Sequence, residues 1–344
     1  MRRVLGCVAG VLCSLGLLFA GGPLRAQAAD DVFQVGTIDF FGGQGMDTAA
    51  LLPKLPVRVG QTVKVDQMEQ LSNSIKAAVL ASSGKPSTGV EIVCCDQPGR
   101  VGLYVGVEGN SYRPGKYALA PTQKTQLPDD GFALYTQDLD ALAEADKRGN
   151  SREDDSMGYA LALDPTARKI ELQMREYALK YGVEIERVVR SSESVEQRQA
   201  AAMLLSYGQR SPEQISVLVQ AANDADNEVR NNAVRALEVL DSAEPLVGID
   251  PSPFVAMLYS GSWSDRNKAS LWFDRTTVGR DPVLLLQLRG AMAPLEDGAR
   301  WQSLGHAMPF LDILGRMGGI DEVRLQKLID SGARDEIIAA AQKH

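Results

Sequence analysis

An arginine recurs at a nearly constant interval through the second half of the chain. Arg198, Arg230, Arg266 and Arg300 are separated by 32, 36 and 34 residues. Apolar or small residues follow the arginines at helical spacing, as after Arg198, where they are Ala201, Leu204 and Leu205. A period near 35 residues is typical of stacked helical hairpins, which bury their apolar stripes only against neighbouring hairpins. The spacing therefore predicts an all-α repeat array over residues 161–344.

The segment 224–237 carries the pattern most completely, with an acidic turn followed by Arg230 and a mixed apolar helix. It resembles a HEAT repeat. The resemblance implies a solenoid with a broad concave face, and it places Asp226 and Arg230 at the positions that form a ladder of ion pairs in that family. It also assigns Arg198, Arg266 and Arg300 to repeat positions. Around 315–319 glycines interrupt the pattern, and the helices beyond them are expected to cap the array.

Helix starts in this half are marked by a capping residue directly before a proline. The pairs are Asp164-Pro165, Ser211-Pro212 and Asp281-Pro282. A side-chain oxygen at the first position can accept from free backbone N–H groups, and the proline lacks an N–H that would go unpaired. These pairs predict three helix N-termini.

The first part of the chain has a different pattern. An alternating run over 33–38, a short helical stretch from Thr48 to Leu55 and a longer one from Val65 to Ser82 precede two further alternating runs, 89–95 and 101–107. The turn residues 96–99 between those runs favour a hairpin. The predicted order is β-α-α-β-β, a small α+β domain over residues 30–110.

This order resembles a POTRA domain, through Val35-Gly36-Thr37-Ile38, Val57-Arg58-Val59-Gly60-Gln61 before the longer helix, and the paired runs at the end. The resemblance implies a location outside the cytoplasm and capture of client chains at a sheet edge. A generic small α+β domain is the alternative. The run Gly42-Gly43-Gln44-Gly45 lacks the Gly-Lys-Ser/Thr that grips phosphate, so a turn is expected there.

Residues 1–28 have the pattern of a signal peptide: Arg2 and Arg3, an uncharged apolar run from Val4 to Ala20, and Ala26-Gln27-Ala28. A membrane anchor is the alternative. We therefore expect an exported, periplasmic or secreted protein without a transmembrane segment in its mature form. The net charge of −8 argues against nucleic acid as a partner. Cys94 and Cys95 are expected to be thiols on a strand.

Residues 111–160 are expected to form a linker with one amphipathic helix, Leu134–Arg148. Glu153, Asp154 and Asp155 follow it. Three consecutive carboxylates could attract a cation or a basic partner, but they lack the alternating ligand spacing of a calcium loop. A solvated acidic loop is expected, and the three residues are the candidate partner-binding positions.

No catalytic pattern is found. His306 lies among Leu304, Ala307 and Met308, as a packed histidine would, and no Gly-x-Ser-x-Gly elbow is present. Trp263, Trp272 and Trp301 are expected to pack in the core rather than stack on a ligand. The sequence therefore predicts no catalytic, cofactor or metal site. It predicts an exported, non-catalytic scaffold or adaptor that binds another protein, with an accessory factor for envelope protein assembly or sorting as the alternative.

Overall fold

A computed structural model describes residues 32–97, 100–150 and 152–343. The predicted signal peptide, residues 1–28, lies outside the described residues, as does the turn at 98–99. The side chains of Cys94 and Cys95 are also outside the description.

The described residues divide into two compact units. One unit comprises Lys116–Pro253, and the other combines residues 32–115 with residues 254–343. The sheet domain therefore shares a unit with the last helices of the chain. The domain boundaries expected from the sequence, at residues 110 and 160, stay predictions.

The second of these units contains a four-stranded sheet with the order β2-β1-β4-β3. Its strands are β1 (Val32–Phe41), β2 (Thr62–Lys64), β3 (Val90–Gln97) and β4 (Arg100–Gly106). β1 runs parallel to β4, while β2 pairs antiparallel with β1 and β3 pairs antiparallel with β4. The hairpin of β3 and β4 was predicted, but β2 was not, because three residues are too few to show an alternating pattern. The observed order is β-α-β-α-β-β instead of β-α-α-β-β.

Two helices cover this sheet, α1 (Thr48–Leu51), continued by a 3₁₀ turn to Lys54, and α2 (Met68–Ser83). Ile75 and Val79 of α2 are buried against Val35, Ile38 and other inward-facing residues of the strands. α2 ends at Gly84, whose φ of 71° is left-handed. A glycine in this conformation is a common stop at the C-terminal end of a helix.

The same unit contains most of α8 (Ser252–Leu258) and all of α9 to α14. These helices are α9 (Trp263–Thr276), α10 (Pro282–Arg289), α11 (Met292–Ala299), α12 (Leu304–Met317), α13 (Glu322–Asp330) and α14 (Arg334–Lys343). α12 is the central helix and packs against α9, α10, α11, α13 and α14. Its buried side chains include Phe310, Leu311 and Leu314.

The other unit consists mainly of five helices and a two-stranded ribbon. The helices are α3 (Gly131–Lys147), α4 (Pro165–Ser191), α5 (Val195–Ser206), α6 (Pro212–Ala221) and α7 (Asn227–Ala243), and the ribbon pairs β5 (Glu153–Asp154) with β6 (Leu161–Ala162). α5 packs against α4 and α7, and α6 packs against α4, α5 and α7. α4 has one non-helical residue, Tyr181, where the helix kinks.

The predicted helix starts are confirmed. Asp164, Ser211 and Asp281 each cap the helix that follows. The two aspartates each accept from two backbone N–H groups of the first turn, and Ser211 accepts from the Gln214 N–H. The predicted fold class is also confirmed, since a small sheet domain precedes a long run of helices. Among the described residues, no helix is both long enough and apolar enough to cross a bilayer.

Candidate interaction surface and the arginine frame

Three of the four repeat arginines are buried and make the same backbone contact. Arg198, Arg230 and Arg266 each donate to the carbonyl oxygen six residues earlier, at 2.7–2.8 Å, and these carbonyls belong to Ser192, Asp224 and Ser260. The guanidinium thus closes the turn that precedes its own helix. We call these three residues the arginine frame.

Arg198 also forms a buried ion pair with Asp224. Its Nε and one terminal nitrogen donate to the two carboxylate oxygens at 2.9 and 3.0 Å, a bidentate geometry that favours arginine over lysine. The ladder aspartate is therefore Asp224, and the expectation that Asp226 fills this place was wrong. Asp226 instead caps α7, accepting from the N–H groups of Glu228 and Val229.

Arg230 and Arg266 make further contacts. Arg230 donates to the Ala225 carbonyl at 3.0 Å, and its guanidinium stacks on the Tyr117 ring, 3.7 Å from its centroid. Arg266 lies 3.4 Å from an Asp297 oxygen and donates to the carbonyl of Ser111. The sequence pattern identified the arginines, but the side chains Asp224 and Asp297 that pair with Arg198 and Arg266 lie 26 and 31 residues away.

The carboxylate of Asp297 on α11 also binds the backbone of the glycine-rich turn at residues 42–45. Its carboxylate accepts from the Gly42 N–H at 2.6 Å and from the Ser111 hydroxyl at 2.9 Å. Backbone N–H groups in such a turn attract anions, and here the anion is a side chain of the same chain. Burial raises the pKa of Asp297, against the lowering effects of Arg266 and these hydrogen bonds. The turn is thus a structural element that holds α11.

Arg300 does not belong to the arginine frame. It is the C-terminal cap residue of α11, its side chain is 55% exposed, and it pairs with Asp335 at 2.8 Å. The prediction of Arg300 as a repeat position was wrong, because the helix that carries Leu304 and Ala307 begins only at Leu304. The regular interval of 34 residues was coincidental here.

The acidic triplet does not form a single exposed face. Glu153 lies on β5 with a side chain that is 9% exposed, and it is paired with Arg235 of α7. Asp154 accepts from the backbone N–H and the hydroxyl of Ser156, and Asp155 is half-buried. The expected solvated loop is therefore wrong for Glu153, because Arg235 neutralises it inside the unit. A partner-binding role for Asp154 and Asp155 stays a prediction.

The tryptophans lie in the core, as expected. Trp263 and Trp301 are buried and surround Tyr104 of β4, with ring centroids 4.7 and 5.2 Å from the Tyr104 ring. His306 Nδ1 is 2.6 Å from the Tyr104 hydroxyl. Trp272 stacks on Phe254 at 4.8 Å. His306 thus takes part in an aromatic cluster that packs the sheet against α9 and α12.

An exposed apolar face distinguishes α10 from the corresponding helix α6. Both helices follow a cap–proline start, so Glu213 and Ser216 of α6 correspond to Val283 and Leu286 of α10. All four positions are exposed, and Val283 and Leu286 are 64% and 67% exposed. Val278, before α10, is also exposed. We call Val278, Val283 and Leu286 the α10 face; it is the candidate interaction surface.

Val283 and Leu286 lie three residues apart on α10, and exposed aliphatic side chains on one side of a helix are typical of a binding surface. Among the described residues, no group of three or more histidine, cysteine or acidic side chains is arranged to hold a metal ion. The surface can contribute apolar burial and shape complementarity rather than chemistry.

The helix pairs with buried, turn-closing arginines define an α-helical repeat protein. Comparison with protein families confirms the more specific resemblance: residues 185–266 match the family described as HEAT repeats. HEAT repeats are commonly protein-interaction scaffolds and are generally non-catalytic. Comparison with curated proteins found no match.

Proposed function

We propose that this protein is an exported, non-catalytic scaffold that binds another protein through the α10 face and the adjoining repeat surface. The partner presents aliphatic side chains, because the α10 face offers aliphatic groups. Export rests on the signal-peptide pattern of residues 1–28.

The proposal depends on a comparison of two helices of the chain. Where α6 has Glu213 and Ser216, α10 has Val283 and Leu286 at the matching positions. At these exposed positions the Val and Leu side chains leave apolar surface in contact with water. Burying one such side chain contributes about 1.5–3 kcal/mol. A partner that covers the α10 face gains this free energy.

The matching HEAT segment supports a binding role over catalysis, because HEAT repeats present extended surfaces. The placement of His306 supports the same conclusion, since its Nδ1 faces the Tyr104 hydroxyl within the aromatic cluster. Both candidate reactive groups of the sequence, His306 and the acidic triplet, have structural contacts.

A second candidate function is assistance in the assembly or sorting of envelope proteins. It is favoured by the position of β3, which is an edge strand of the sheet. An extended client segment could add to such an edge through main-chain hydrogen bonds. This candidate keeps the POTRA resemblance as its motivation, and it predicts binding at Val90–Gln97 rather than at α10.

The test is a crosslinking pull-down from the periplasm and the medium of cells that express the full chain. The variant Val283→Glu with Leu286→Ser gives α10 the residues of α6, and we expect its partner capture to fall by roughly tenfold to a hundredfold. The control is Val247→Glu, which adds the same charge at a loop residue that is 92% exposed. Full capture by the double variant would overturn the proposal.

The same double variant separates the two candidate functions. If the edge strand β3 binds the client, Val283→Glu with Leu286→Ser retains capture, whereas binding at the α10 face loses it. Detection of the chain in the cytoplasm alone would contradict export and leave the binding surface to be judged by the pull-down.

A further inference from the structure

The buried side of α3 consists of apolar residues and one acidic residue, Asp138. Asp138, Ala141, Leu142 and Ala145 follow the i, i+3, i+4, i+7 pattern, and all four are buried. Asp138 has no measurable exposure, and neither of its carboxylate oxygens has a hydrogen-bond partner among the described residues. A buried polar group without a partner requires a physical explanation.

The groups around Asp138 make the site more acidic. Glu171 of α4 is fully buried, and within the described part of the chain only one of its oxygens accepts a bond, from the Ala162 N–H at 2.6 Å. Glu153 of β5 is paired with Arg235 of α7. The Arg235 guanidinium thus interacts with three carboxylates, those of Glu153, Asp138 and Glu171. The Tyr207 hydroxyl, at the end of α5, is buried and has no hydrogen-bond partner in the region that the structure describes.

Other charged and titratable groups lie at the edge of the site. Arg168 of α4 donates to the Ala162 carbonyl at 3.4 Å, and Arg175 of α4 donates to the carbonyl of Gly208 at 2.5 Å. Tyr135 of α3 has a pKa raised above its ordinary range by burial and by Glu228. None of these contacts supplies a donor to Asp138.

Ionising all three carboxylates here would leave uncompensated charge in the interior, which is strongly unfavourable. Burial, followed by the charge of Glu171, raises the pKa of Asp138 to about 8. Burial also raises the pKa of Glu171 to about 7. The same burial raises the pKa of Tyr207, so its hydroxyl keeps its proton.

A proton fits this site better than a metal ion does. Among the described residues no triad of ligating side chains suits a metal, and the Arg235 charge would repel one. Asp138 and Glu171 are buried from solvent. Small fluctuations of the surrounding structure are enough to let a proton reach them. We propose that Asp138 and Glu171 form a proton-binding site that fastens α3 against α4 and loosens that packing when the protons leave.

The sign of the pH dependence follows from the direction of the shifts. Both carboxyls bind protons more tightly in the folded state than in the unfolded chain, so folding takes up protons. Stability therefore falls as the pH rises from the ordinary values of 3.8 and 4.5 to about 7 for Glu171 and about 8 for Asp138. Above that range both states are deprotonated and this contribution stays constant.

Hydrogen exchange measured on the full chain tests the site. We expect protection of α3, corrected for intrinsic exchange, to fall roughly tenfold between about pH 6 and about pH 9 in the wild type. Asp138→Asn keeps the shape and removes one of the two titrations, so its protection should fall by clearly less than that of the wild type over the same range. Asp140→Asn, on the exposed side of α3, is the matched control and should behave as the wild type. Equal losses in wild type and Asp138→Asn would overturn the proposal.

Infrared difference spectroscopy gives a reading that does not depend on the stability of a variant. The wild type should show a protonated carboxyl band at about pH 6.5 that disappears by about pH 9.5. The band should be weaker in Asp138→Asn and unchanged in Asp140→Asn. A wild-type spectrum without that band contradicts the site even if Asp138→Asn fails to fold.

Discussion

Asp224 and Asp226 lie two residues apart and are expected to contribute different amounts to the free energy of unfolding. Asp224→Ala leaves the Arg198 guanidinium buried without its carboxylate, and we expect it to destabilise the protein by about 3–5 kcal/mol. Asp226→Ala removes the cap of α7 and should cost about 1–2 kcal/mol. Urea unfolding followed by circular dichroism measures both. Asp140→Ala, at an exposed position, serves as the reference and should lie within about 0.5 kcal/mol of the wild type.

A loss for Asp226→Ala as large as that for Asp224→Ala would contradict the assignment. The sequence could predict the arginine, because its spacing within the repeat is regular. It could not choose between the two aspartates, since both lie in the turn before α7. The choice depends on which carboxylate the turn directs toward Arg198, a backbone property that leaves no pattern in residue type.

At the scale of single helices, replacing Gly84 or Gly182 by alanine is expected to change stability in opposite directions. Gly84 ends α2 with φ of 71°, and a Cβ there would meet no atom within 4 Å, so the cost of Gly84→Ala is conformational, about 1 kcal/mol. Gly182 lies inside α4, and a Cβ there is also unobstructed. Gly182→Ala should stabilise α4 by about 0.5–1 kcal/mol. Thermal unfolding by circular dichroism measures both, and shifts of the same sign would contradict the expectation.

Helices were predictable where local chemistry sets their limits. The cap–proline pairs and Gly84 fixed starts and ends because those residues act within one turn. Elements without such local chemistry were missed. β2 forms because Thr62–Lys64 pairs with the first residues of β1. Arg300 is not in the helix where it was expected, since it lies between α11 and α12, which are separate helices.

At the scale of the whole chain, the sheet domain and the last helices share a unit that sequence reasoning treated as two domains. Glu91 of β3 is an example, since its carboxylate accepts from the N–H of Trp263 at 2.6 Å and of Ser264 at 3.1 Å at the start of α9. Burial raises the pKa of Glu91 to about 7, against the lowering effect of these bonds. Contacts between residues about 170 positions apart leave no local pattern, so the sequence predicted both elements but not their packing.

Tyr104 allows this packing to be tested, because all three tryptophans lie in the same unit and two of them surround its ring. Tyr104→Ala should destabilise that unit by about 3–5 kcal/mol and shift tryptophan emission to longer wavelength as water reaches Trp263 and Trp301. Tyr104→Phe keeps the ring and removes the hydroxyl that contacts His306, at a cost of about 1 kcal/mol. Its emission spectrum should match the wild type. An unchanged spectrum in Tyr104→Ala would mean that the sheet does not complete the core of these helices. If the spectrum shifts as expected, residues 30–110 cannot be removed without disturbing the helices of the same unit. A deletion of these residues that abolishes partner binding would then not distinguish loss of the α10 face from loss of the sheet edge.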